Sequence, residues 1–70
     1  MYAVVITSGT YENKTKYHNA DKARAAFEAV CNRQLSRGFE LCDEGEGNNW
    51  KARLYCRNGY EDRNIEMYQL

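Results

Sequence analysis

Seventy residues carry ten Lys plus Arg against ten Asp plus Glu, a formal net charge of +0, which excludes a protein that coats nucleic acid through a large basic excess. Apolar residues make up 43% and aromatics 13%, enough for one core and too much for a disordered chain. A chain of this length buries only about 60% of its extended surface, so a single domain over 1–70 is expected, in which every apolar residue counts.

Tyr2 to Thr7 is rich in β-branched and aromatic residues and predicts a strand. Tyr2, Val4 and Ile6 point one way and Ala3, Val5 and Thr7 the other. Apolar character on both sides predicts an interior strand. Ser8-Gly9-Thr10 is a turn signal. Tyr11 to Lys14 is polar and weakly patterned, and Thr15 to His18 reads as a short second strand pairing back on the first.

Asn19 to Gly38 predicts one amphipathic helix, over about 19–37, of about five turns. Ala23, Phe27, Val30, Cys31 and Leu35 fall on one face at helical spacing. Lys22, Glu28, Asn32, Arg33 and Ser36 take the other, with Arg24 at the margin. Asn19 is placed to cap the N-terminus, and Asp21 follows in the first turn. Arg33 and Arg37 stand in the last turns, and Gly38 suits the left-handed terminating position.

Phe39 to Asp43 alternates as a strand, with Phe39 and Leu41 on one face. Glu44 to Asn49 reads as an acidic, glycine-rich connection. Trp50 to Arg57 alternates again, predicting Trp50, Ala52, Leu54 and Cys56 inward and Lys51, Arg53, Tyr55 and Arg57 outward. Asn58-Gly59 is the dipeptide that a two-residue type I′ hairpin prefers. Asn64 to Leu70 is the last strand, with Ile65 and Met67 inward. A two-residue turn pairs Arg57 with Tyr60, sets Ala52 opposite Ile65 and Trp50 opposite Met67, and opposes Lys51 to Glu66. Leu41 then lies opposite Ala52. The expected fold is α+β: a small antiparallel sheet of four or five strands with one helix on one face, in the order β(β)αβββ.

Three cysteines, an odd number without a C-x-x-C pair, argue against a disulfide framework or a zinc site. Cys31 and Cys56 read as small core residues and Cys42 as a surface thiol, which suits a reducing cytoplasm. No segment has the length of a membrane span or the pattern of a signal peptide. His18, the only histidine, has no cysteine beside it to activate. The acids Asp43, Glu44 and Glu46 lack the ligand order of an EF-hand, because Trp50 and Lys51 follow them. No cofactor, metal or catalytic residue is expected.

Two resemblances bear on function. Residues 16–39, KYHNADKARAAFEAVCNRQLSRGF, resemble the strand–helix–Gly-aromatic segment of WGR domains, which accompany nucleic-acid-handling proteins; the Trp-Gly-Arg signature itself is missing. The whole chain is similar in type to the small neutral-to-acidic proteins that phages encode to block host defences, anti-CRISPR proteins among them, which share no motif.

The sequence therefore predicts a non-catalytic binding protein that occupies a partner protein or protein–nucleic acid complex, as a phage or mobile-element inhibitor of a host defence would. The expected contact residues are Lys51, Arg53, Tyr55, Arg57, Tyr60 and Tyr68, with Glu44 and Glu46 as an acidic adjunct. Tyr supplies contact area and Arg bidentate bonds. The alternative is a weak nucleic-acid binder using the same Tyr and Arg face for stacking and phosphate contact. An edge-strand homodimer is a third expectation, and a solvated sheet face accounts for the same residues without a partner.

Overall fold

In the computed structural model, which describes residues 1–70, the chain runs β1 (Tyr2–Ser8), β2 (Tyr11–Tyr17), α1 (Ala20–Ser36), β3 (Glu40–Glu46), β4 (Trp50–Arg57) and β5 (Glu61–Gln69). All neighbouring strands are antiparallel, in the spatial order β2-β1-β5-β4-β3. This is an α+β fold in which one helix covers one face of a five-stranded sheet. No helix is long and apolar enough to cross a membrane.

β1 is interior, as its two apolar sides predict. Tyr2, Val4 and Ile6 pack toward the helix. Ala3 and Val5 are buried on the opposite side, where Ala3 lies between Lys16 and Tyr68 and Val5 between Lys14 and Glu66. The turn at Gly9, φ +60°, is a two-residue connection between Ser8 and Tyr11. β2 therefore begins at Tyr11 and not at Thr15. An edge strand pairs through its main chain on one side only, so polar side chains do not interrupt it.

α1 is capped as expected: the Asn19 side chain accepts from the Lys22 amide at 2.8 Å, and Gly38 at φ +88° ends the helix. Ala23, Phe27 and Cys31 are buried, and Val30 is half-buried. Leu35 is not on the core face; it is 51% exposed, and Gln34 is buried in its place. The buried face follows steps of four, four and three residues and so arrives at Gln34. The Gln34 amide is bonded at both ends, with Nε2 donating to the Val30 carbonyl at 3.0 Å and Oε1 accepting from Arg63 at 3.1 Å. A buried amide costs little only when both ends are bonded.

The acidic Glu44–Glu46 stretch is strand, since β3 continues to Glu46. The turn into β4 falls at Asn48-Asn49, so Glu46 pairs with Lys51, and a bulge at Cys42 shifts the register by one; together they set Leu41 opposite Tyr55 rather than Ala52. Cys42 and Cys56 form a disulfide, with Cα atoms 6.0 Å apart, and Cys31 alone is free and buried. This corrects the expectation of three free thiols, because the bulged edge strand brings Cys42 beside Cys56.

The largest correction concerns β4. Arg57 pairs with Glu61, not Tyr60, so the turn holds three residues, Asn58-Gly59-Tyr60. Asn58 and Gly59 do take positive φ, at 58° and 76°. The third residue slips β4 by one against β5, and a one-residue slip reverses both faces. Lys51 now opposes Met67, Arg53 opposes Ile65 and Trp50 opposes Tyr68. Ile65 and Met67 remain inward and buried. Lys51, Arg53, Tyr55 and Arg57 lie beneath the helix, and Trp50, Ala52, Leu54 and Cys56 lie on the uncovered face.

Candidate partner-binding face

Four of the residues expected to meet a partner are used internally. Tyr55 is 2% exposed and belongs to the core with Phe27, Cys31 and Phe39. Burial pushes its phenol above the usual range, and the same desolvation raises the Cys31 thiol beside it. Arg53 forms a fork on Glu28 of α1, with Nη1 to Oε2 at 2.9 Å and Nη2 to Oε1 at 3.1 Å. Its guanidinium lies over the Phe27 ring, 5.1 Å from the centroid, and reaches Glu44 at 3.8 Å. The hydrogen bonds that Arg53 donates to Glu28 hold the Glu28 carboxyl below its ordinary value and raise that of Arg53. Arg57 donates to the Arg37 carbonyl at 2.9 Å and to Glu61 at 2.8 Å, over the Phe39 ring. It thereby satisfies a carbonyl at the end of the helix. Lys51 pairs with Glu46 at 3.9 Å.

Glu44 and Glu46 are thus counter-charges for Arg53 and Lys51 and not a free acidic tip. Tyr60 stands in the β4–β5 turn, 83% exposed and apart from the other residues. Tyr68 alone keeps its expected position on the open sheet.

The strand registers lay out that face row by row. At one end Lys16, Ala3, Tyr68 and Trp50 cross the sheet; the next row is Lys14, Val5, Glu66, Ala52 and Gly45. Glu12, Thr7, Asn64, Leu54 and Asp43 follow, then Asp62, Cys56 and Glu40. The face is therefore aromatic and cationic at one end and acidic at the other. The Lys14 ammonium sits 5.6 Å from the centre of the Tyr68 ring, an ammonium–ring contact in a partly exposed setting.

Trp50 is the side chain that stands out. It is 45% exposed, yet it is held in place. A Cβ on Gly45 would meet its Cη2 at 3.2 Å, and one on Gly47 would collide with its Nε1. The indole thus rests on the end of β3 and the residue just past it, where Gly45 and Gly47 leave the backbone bare. Glycine inside a strand often marks a close approach of another group, and here that group is an aromatic ring with surface left over. Trp50, Lys14 and Lys16 escaped the sequence reading. The signals for them were the Gly45 and Gly47 spacing and the shared parity of Lys14 and Lys16 with Val5 and Ala3 across the Gly9 turn.

Compared with known proteins, the chain matches no family model, no curated protein and no solved structure.

Proposed function

We propose that this chain is a non-catalytic binding protein that occupies the surface of a partner protein, with the Trp50–Tyr68 end of the helix-free sheet face as its contact. The observation that carries this is the half-exposed Trp50 indole, seated against Gly45 and Gly47 and in register with Tyr68. Trp and Tyr dominate protein interfaces because they offer large rigid area with little rotamer entropy to lose. Lys14 and Lys16 flank them, which favours a partner carrying carboxylates around an apolar centre.

Charge favours a protein over nucleic acid. The open face has two lysines against five carboxylates, Glu12, Glu40, Asp43, Asp62 and Glu66. A phosphate backbone would be repelled over most of that area. Nucleophilic catalysis has little to draw on: His18 is exposed ahead of the helix, and Cys31 is buried more than three turns further along it. Occupancy is how such a chain would inhibit, and a host-defence assembly such as a CRISPR effector is the partner class its type suggests.

The test is affinity capture by the native chain and by a Trp50→Ala/Tyr68→Ala double variant, with Arg24→Gln as control. The expected result is a partner held by the native chain and the control and lost by the double variant, then a two-component complex reconstituted from purified proteins. Loss of about 2 kcal/mol or more is typical of such anchors. A captured set indifferent to the double substitution would reject this face, and a CRISPR interference assay separately checks the inhibitor role.

A further inference from the structure

The chain has six arginines. Arg24, Arg53 and Arg57 are each paired with a carboxylate. Arg33, Arg37 and Arg63 form no ion pair, and these three line one cleft of about 490 Å³ between the second half of α1 and the β2–β1 edge. Tyr11, Asn13 and Ser8 form the strand-side rim, and Ile6 lies at the base. No carboxylate lines it. The cleft is on the helix side of the sheet, on the opposite face from Trp50 and Tyr68.

The arrangement is organised from below. Arg63 lies over the Phe39 ring, 4.8 Å from its centroid, and donates to the buried Gln34, so its guanidinium is oriented before any ligand arrives. Arg33 and Arg37 are spaced i, i+4 on the helix and stand on one side of it. The end of a helix carries partial negative charge, which opposes an anion there. Arg57 already donates to the Arg37 carbonyl, and three full positive charges outweigh the remainder. Guanidinium groups match tetrahedral oxyanions through paired N–H donors. Tyr11 is exposed and half-fixed, its hydroxyl accepting from Asn13 at 3.2 Å, so it offers a ring face at the rim. The volume is that of a small-molecule site.

We propose that this cleft binds a small phosphate-bearing molecule of the nucleotide class, with Arg33, Arg37 and Arg63 on the phosphate and Tyr11 against the ring. The proposal does not depend on the partner-binding face.

The experiment is an NMR titration of the intact chain at low ionic strength with inorganic phosphate, adenosine monophosphate and adenosine, followed by Arg33→Gln/Arg37→Gln and Arg24→Gln variants. Saturable shifts confined to residues 6–13, 33–37 and 63 are expected for the monophosphate. Phosphate alone should bind more weakly at the same residues, and adenosine should not bind. The double variant should lose about tenfold or more in affinity, the loss expected for a charge-assisted bond, while Arg24→Gln, on the same helix, keeps it. Tyr11→Leu should weaken the monophosphate and leave phosphate unchanged. No saturable binding of either phosphate, equal binding by the double variant, or shifts spread over all surface lysines would overturn the proposal. Binding only to an oligonucleotide or a phosphopeptide would also overturn it, in favour of a macromolecular ligand.

Discussion

Arg53 shows how much one side chain does in a chain this small. It ties α1 to β4 through Glu28 and β4 to β3 through Glu44, and its guanidinium lies over the Phe27 ring. Arg53→Ala is expected to cost about 1–2 kcal/mol, the discounted value of a partly exposed charged pair plus lost packing, read by chemical denaturation. The Glu28 carboxyl is held below its ordinary 4.5, so its contribution is present above that value and lost as pH falls through the lower, folded one. The melting temperature should therefore drop on acidification below about pH 5, and Glu28→Gln should flatten that slope. The alkaline side has the opposite sign. Tyr55 and Cys31 titrate higher in the fold than their ordinary 10.0 and 9.0, so the unfolded chain loses protons first and stability falls as pH rises past those values. Tyr55→Phe should reduce the alkaline loss, measured as unfolding free energy against pH.

At the scale of elements, β3 and the β4–β5 turn carry the most specific constraints. Gly47→Ala would drive the Trp50 indole off its seat. Because Trp50 is the one tryptophan, its emission should shift to the red, with partner capture falling alongside. Gly59→Ala forces a side chain onto φ +76° and should cost about 1 kcal/mol. Asn58→Gly at the neighbouring positive φ should be nearly neutral, since glycine accepts that conformation freely. The capping residue Asn19 accepts the Lys22 amide, and Asn19→Ala should cost about 1 kcal/mol by the same measurement.

The whole molecule has two exposed sheet edges, and both are guarded. β2 carries Glu12, Lys14 and Lys16, and β3 carries Asp43, Glu44 and Glu46 with a bulge at Cys42. Charged and bulged edges resist strand addition, so sedimentation is expected to show a single concentration-independent species. A mass that doubles with concentration would instead support an edge-paired dimer. The Cys42–Cys56 disulfide closes a short loop across β3 and β4. Its removal by Cys42→Ser should lower stability by about 2–4 kcal/mol through the loop entropy returned to the unfolded chain, and thiol titration of the unfolded native chain should find Cys31 alone.

Local chemistry by itself determined the kinds of element and much of their extent. The helix with its Asn19 and Gly38 ends, the interior character of β1 and the inward Ile65 and Met67 follow from spacing, capping and turn preference, which act over a few residues. Tertiary structure alone decided which way β4 faces. Its sequence is ambiguous by design of its side chains: Trp50, Ala52, Leu54 and Cys56 are apolar at one parity, while Tyr55 and the long stems of Lys51, Arg53 and Arg57 can be buried at the other. One additional turn residue, Tyr60, chooses between them, and groups on other elements reward the choice: Glu28 and Phe27 receive Arg53, and bare glycines at the end of β3 receive Trp50. Glu28 lies 25 residues from Arg53 along the chain, beyond the reach of any local pattern, and the nearby glycines meet Trp50 only across the paired β3–β4 hairpin, so both the exposed aromatic pair and the arginine cleft come into being only when the sheet closes.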